Sequence, residues 1–197
     1  MILGLTFTIK QADTHSPHFG EAAALHVICL PETLTSQRGD KTVAGLYRYL
    51  LRQGHTAHFA TVGDGLVGGL IVMRHACRQS NIFMTFYRPW DWIRAFRFLG
   101  VRKVFVQILE LAELQRSARQ LAPYDYIVAL YVAGSSRRIG VASNMLQHAI
   151  TDAKVRGVGL VVDTTLLNSP ARNLYLSLGF VESHRTKLSA QFTLGLR

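Results

Sequence analysis

The sequence predicts a mixed α/β domain, and three observations lead to that class. Strand-like and helix-like runs alternate in the order strand, helix, helix, strand, strand before the middle of the chain and strand, helix, strand, helix, strand after it. Gly63-Asp64-Gly65 joins two apolar runs with a strong hairpin turn signal. Later, an apolar run feeds an arginine- and glycine-containing bend that opens a well-bounded amphipathic helix.

Composition sets the outer limits. A chain of 197 residues buries a sizeable core and is too short for two comfortable domains, so one domain over 1–197 is expected. With 49% hydrophobic and 17% charged residues, a folded globular protein is predicted over an extended disordered one. Cys29 and Cys77 lie far apart without metal-ligand spacing, and His55, His58 and His75 form no persuasive metal pair, so neither a disulfide framework nor a metal site is expected. The first residues lack a basic region or cleavage site, and no apolar run reaches membrane-spanning length. A soluble, cytoplasmic protein without a transmembrane segment is the expectation. The 22 Lys and Arg residues against 12 Asp and Glu give a formal charge of +10, which favours anionic partners: cofactor phosphates, nucleic acid or anionic lipid.

The elements follow in order. Leu5-Thr6-Phe7-Thr8-Ile9-Lys10 alternates and reads as a strand. Ser16-Pro17 opens a helix with Ala22, Leu25, Ile28 and Cys29 on one face, ended by Pro31. Val43, Leu46, Tyr47, Leu50 and Leu51 mark a second helix closed by Gly54. Strands are predicted over 56–62 and 66–74, where Gly68-Gly69 signals either a bulge or a close backbone approach. A strand over 125–132 precedes Gly134-Ser135-Ser136, and Val141, Met145, Ala149, Ile150 and Ala153 give a helix over 141–156 with Gly157 as its stop. A strand over 158–164 leads to a short helix over 170–178, with Ser169 as N-cap, Pro170 in the first turn and Gly179 just past the end. Phe180 begins another strand. The alternation of Phe192, Leu194 and Leu196 adds a last one without a clear turn between them.

Arg137-Arg138-Ile139-Gly140-Val141-Ala142 is the stretch that carries chemistry. The first turn of a helix leaves backbone N–H groups without partners at the positive end of its dipole, which attracts an anion. Gly140 and Ala142 keep side chains out of the way of a phosphate, and Arg137 and Arg138 add charged donors. This R-x-x-G-x-A pattern resembles the acyl-CoA pyrophosphate loop of the GNAT superfamily of N-acyltransferases. The run from Asn168 through Ala171 and Tyr175 to Gly179-Phe180 resembles the second hallmark of that family, N-x-x-A-x-x-x-Y-x-x-x-G-F. Together the two signatures cover roughly residues 125 to 185.

The resemblance implies a mixed, mostly antiparallel sheet whose central strands splay, and an N-acetyltransferase that moves an acetyl group from acetyl-CoA to a primary amine by direct attack on the thioester. It implies that the backbone of Leu130, Tyr131 and Val132 pairs with the pantetheine arm and that residues 137–142 hold the diphosphate. It further implies that Asn168 orients the arm or the loop, that Arg172 reaches a phosphate or lies exposed, and that Tyr175 protonates the departing thiolate. Asp163, five residues before Asn168, stands at a position that is often acidic in members acetylating protein N-termini; it is either the base or a carboxylate that caps a strand end. Glu32, between the first two helices, is a second candidate. The acceptor is a small-molecule or peptide amine, and a homodimer is an open expectation. A non-catalytic acyl-CoA-binding or nucleic-acid-associated module is the alternative.

One interval departs from the family pattern. From about 75 to 123 nearly fifty residues replace a short turn. Val101, Val104, Phe105, Ile108, Leu111 and Ala112 form a helical stripe there, and Trp90, Trp92, Phe96 and Leu99 mark a shorter helix before it. A helical pair packed on the domain, a lid over substrate and a basic amphipathic surface are the three readings of this insert.

Overall fold

The computed structural model describes residues 6–33, 35–74, 106, 109, 112–114, 116, 117 and 123–195. Seven strands form one sheet in the order β1-β2-β3-β4-β5-β7-β6. They are β1 (Thr8–Gln11), β2 (Thr56–Val62), β3 (Gly65–Met73), β4 (Tyr124–Val132), β5 (Gly159–Thr165), β6 (Val181–Arg185) and β7 (Ser189–Leu194). Among the described residues, the helices α1 (Phe19–Cys29), α2 (Asp40–Arg52), α3 (Val141–Val155) and α4 (Ser169–Ser177) accompany them. The pairs β1/β2, β2/β3, β5/β7 and β6/β7 are antiparallel. The mixed α/β class and the element order expected from the sequence are those observed. Most of the predicted 75–123 helical stripe, and Trp90, Trp92, Phe96 and Leu99 before it, lie outside the described residues.

By internal contacts the chain divides into two compact units, Met1–Arg74 with Ile127–Asp152 and His75–Tyr126 with Ala153–Arg197. In the first, α1 buries Phe19, Ala22, Ala23 and His26, which recur at helical spacing. Of the face predicted from Ala22, Leu25, Ile28 and Cys29, Ala22 is buried and Leu25 and Cys29 are half-buried, while Ile28 is 75% exposed. The buried stripe contains a histidine, which a purely apolar pattern does not count. Helix α2 buries Val43, Ala44, Leu46, Tyr47 and Leu50 as its spacing predicts.

The two alternatives for Gly68-Gly69 both occur. Ala60 faces Gly68 while Thr61 faces Leu66, so Val67 is an extra residue on β3. Its carbonyl accepts a hydrogen bond from Ala133 N–H at 2.8 Å. A Cβ on Gly69 would lie 2.4 Å from the Tyr131 hydroxyl oxygen, and one on Gly68 would lie 3.0 Å from the Tyr131 carbonyl. Glycine here makes room for a buried aromatic ring.

In the second unit Leu160, Phe180 and Phe192 are buried, and Tyr175 packs its ring 5.8 Å from Phe180 and 5.6 Å from Phe192. The tail supplies both strands. Thr186 closes the turn between them that carried no obvious sequence signal: its N–H and hydroxyl both donate to the Ser189 carbonyl, at 2.9 and 3.2 Å, and its hydroxyl accepts from Ser189 N–H at 3.0 Å.

Gly69→Ala is expected to lower unfolding free energy by about 1–3 kcal/mol in a urea titration, since the added methyl overlaps a pinned ring. Much of that loss should vanish in a Tyr131→Leu background, where the overlapping atoms are gone.

Candidate functional site

In the first unit, β4 ends at Val132 and a single 3-10 turn over Gly134–Ser136 carries the chain toward α3. Arg137 is extended, Arg138 adopts φ 64° and Gly140 φ 90°. Asn144 N–H donates to the Gly140 carbonyl at 2.9 Å, so the helix starts at Val141 and the N–H groups of Val141, Ala142 and Ser143 come before its first internal bond. A Cβ at Gly140 would meet only the Asn144 amide nitrogen, at 3.4 Å; the conformation, more than lack of space, requires glycine. Ile139 and Ala142 are half-buried and Val141 is buried, while both arginines are exposed. The left-handed backbone at Arg138 has no signature in the sequence.

Arg137 is tied back to the strand it follows, its Nε donating to the Val132 carbonyl at 3.3 Å. Cys29 Sγ donates to the same oxygen at 3.4 Å. Leu130 is half-buried, and Tyr131 is buried in a polar cluster that the sequence did not reveal. Tyr47 hydroxyl lies 2.5 Å from His26 Nδ1 and donates to Tyr131 hydroxyl at 3.2 Å. Burial holds the His26 imidazole down to about 4 and raises both phenols. Glu32, the alternative base, is exposed.

The second unit gathers the acid and base candidates. Asp163 lies within β5, half-buried, and accepts from Tyr126 hydroxyl at Oδ2 and from Gln191 Nε2 at Oδ1, the latter at 3.1 Å. It is therefore a carboxylate fixed by two side chains; it does not cap a strand end. Desolvation raises its pKa, while the two hydrogen bonds and His184 oppose that shift. Tyr175, buried in α4, is raised by desolvation and then by the Asp163 charge, so it keeps its proton throughout the neutral range. Tyr126 and Gln191 were not found in the sequence because they come from strands 37 and 28 residues from Asp163.

Asn168, not Ser169, is the N-cap of α4: its Oδ1 accepts from Ala171 N–H at 3.3 Å, and Ser169 is already helical. Arg172 is committed to the Leu166 carbonyl at 3.5 Å and to Glu182 at 3.5 Å. Among the described residues, no three His, Cys, Asp or Glu side chains gather as a metal site, and no helix is long and apolar enough to cross a membrane.

The pH dependence of folding should report the first-unit cluster. An imidazole at about 4 in the folded protein and about 6.5 unfolded stabilises fully above pH 6.5, and that contribution is lost as pH falls toward 4, by about 3 kcal/mol. His58 shifts in the same direction. Chemical unfolding across this window should show the decline, and His26→Gln should flatten it.

Residues 85–180 match the acetyltransferase (GNAT) family. A plant protein, GCN5-related N-acetyltransferase 6, chloroplastic, of Arabidopsis thaliana, is 47% identical over 58 residues, a stretch that spans 29% of this chain and only 20% of that protein. An N-acetyltransferase of Staphylococcus aureus superposes with a TM-score of 0.62 at 16% identity, covering 98% of this chain and 99% of its own. The NatC complex bound to Gag peptide and CoA contains a chain that superposes with a TM-score of 0.63 at 17% identity, covering 97% and 99%. Nearly the whole chain shares its fold with these two solved structures, and the match to the acetyltransferase (GNAT) family covers residues 85–180.

Proposed function

We propose that this protein transfers an acetyl group from acetyl-CoA to a primary amine by direct attack of the amine on the thioester. The observation that carries this reading is that one compact unit holds a phenol kept protonated and, within reach of its field, a carboxylate fixed through both oxygens. These are the two proton-transfer roles the reaction needs. A chain of the same fold belongs to a NatC complex bound to Gag peptide and CoA, which supports a CoA thioester as donor and an amine as acceptor.

The diphosphate fits the bend at residues 137–142: the N–H groups of Val141, Ala142 and Ser143 precede the first internal bond of α3, and the helix dipole and two exposed guanidiniums add positive potential. The backbone of Leu130, Tyr131 and Val132 receives the pantetheine arm, although the Val132 carbonyl is already shared by Cys29 and Arg137. Asn168 caps α4 through Oδ1 and keeps its amide N–H groups for the arm. Arg172 is already paired with Glu182, which competes with any anion for its charge. Acetyl-CoA supplies the activated acyl group. Asp163 takes the proton that the attacking amine sheds, and Tyr175 gives its own proton to the departing sulfur. Activity should therefore rise with pH as Asp163 ionises.

A panel of amine acceptors screened by thiol release from acetyl-CoA tests the reading directly. Tyr175→Phe should lower kcat on the order of a hundredfold while calorimetric CoA affinity holds. Arg137→Ala with Arg138→Ala should weaken CoA binding about tenfold, with a shallower salt dependence. Failure of every amine to release thiol, together with RNA or DNA binding that falls steeply with salt, would favour the nucleic-acid module instead.

A further inference from the structure

The geometry points to Gln191 as a positioning residue that sets the proton affinity of the Asp163 carboxylate and ties it to the helical residues at 113 and 114. This rests on the reading of Asp163 as the base. Asp163 of β5, Gln191 of β7 and His184 of β6 stand opposite one another across three neighbouring strands. That row exists because the β6/β7 register slips between Glu182 and His184; in an unslipped register Ser183 would face Gln191 and His184 would face Ala190.

Gln191 is fully buried. Its Nε2 donates to Asp163 Oδ1 at 3.1 Å and to the Leu114 carbonyl at 3.0 Å. Both partners are acceptors, so the amide has one orientation: rotated by half a turn, its oxygen would oppose a carbonyl and a carboxylate. The cost of that arrangement is visible, since Oε1 is buried with no hydrogen-bond partner among the described residues. Residue 113 is held at the next position of the row, its carboxylate 3.1 Å from His184 Nε2. Two consecutive residues, Glu113 and Leu114, thus clasp two consecutive members of the row.

The groups facing Asp163 are Tyr126 of β4, Gln191 of β7, His184 of β6 and Tyr175 of α4, with Glu113 beyond His184. Tyr126 and Gln191 each donate to the ionised form, one to each oxygen. Each carboxylate oxygen has two acceptor sites, so a second remains on each for an incoming proton. Removing the Gln191 donor takes support from the ionised form, and the carboxylate then titrates higher.

In an acetyl-CoA assay with an amine that gives turnover, Gln191→Met keeps length and loses the donor. The acidic limb of its kcat/KM profile should move upward by about one pH unit. Tyr126→Phe should move it in the same direction. A side chain that only supports the fold would lower stability or kcat and leave the limb in place. In the unsubstituted protein, the Gln191 side-chain amide resonances should titrate with the same midpoint as the Asp163 carboxyl carbon, assigned by comparison with Asp163→Asn. A Gln191→Met limb that stays in place, or amide resonances that do not follow Asp163, overturns the inference. Full turnover by Asp163→Asn instead sinks the base reading, and co-titration of the two groups separates that outcome from failure of the coupling.

Discussion

The placement of one ring decides much of the first unit. Tyr131 fills the space that Gly69 leaves empty, with its hydroxyl tied to Tyr47 and, through it, to His26. Burying three polar rings together is costly unless each finds a partner, and here the hydrogen bonds and edge-on ring contacts supply them. Because Tyr131 is fixed, Val132 and the bend that follows are fixed too. Ala133 binds the bulged Val67, Arg137 turns back to Val132, and the chain enters α3 from a set position.

Local patterns in the sequence made most of this architecture legible. Helix α2, the hairpin at Gly63-Asp64, the bend before α3 and the short α4 each carry their own spacing, turn or breaker signal, and each was found within a residue or two. The resemblance carried by Arg137 to Ala142 and by Asn168 to Phe180 pointed to the fold that nearly the whole chain has. What escaped was non-local. His26 belongs to the buried stripe of α1 because Tyr47 and Tyr131 give its ring partners, and no window around residue 26 contains that information. Arg138 takes a left-handed backbone that residue preference alone argues against.

The carboxylate at position 163 shows the same limit at finer scale. Its strand was predicted, and its side chain was singled out. Its two partners were not, since β4 and β7 bring them from distant parts of the chain. A lone Asp in a strand is equally compatible with a solvated end or a fixed functional group. Only the crossing of strands in the order β4-β5-β7 separates those outcomes, and that order is a property of the whole sheet.

The slipped register at Ser183 has a separate consequence for how the molecule behaves among copies of itself. Strand β6 terminates the sheet order, and a regular terminal strand offers unpaired backbone groups as a template for intermolecular stacking. Here that strand is only five residues long, interrupted by an irregularity, and bears Glu182 and Arg185 bonded to each other. The feature that aligns His184 with Gln191 also spoils the template, so the same irregular residue that serves the interior discourages fibrous association at the rim.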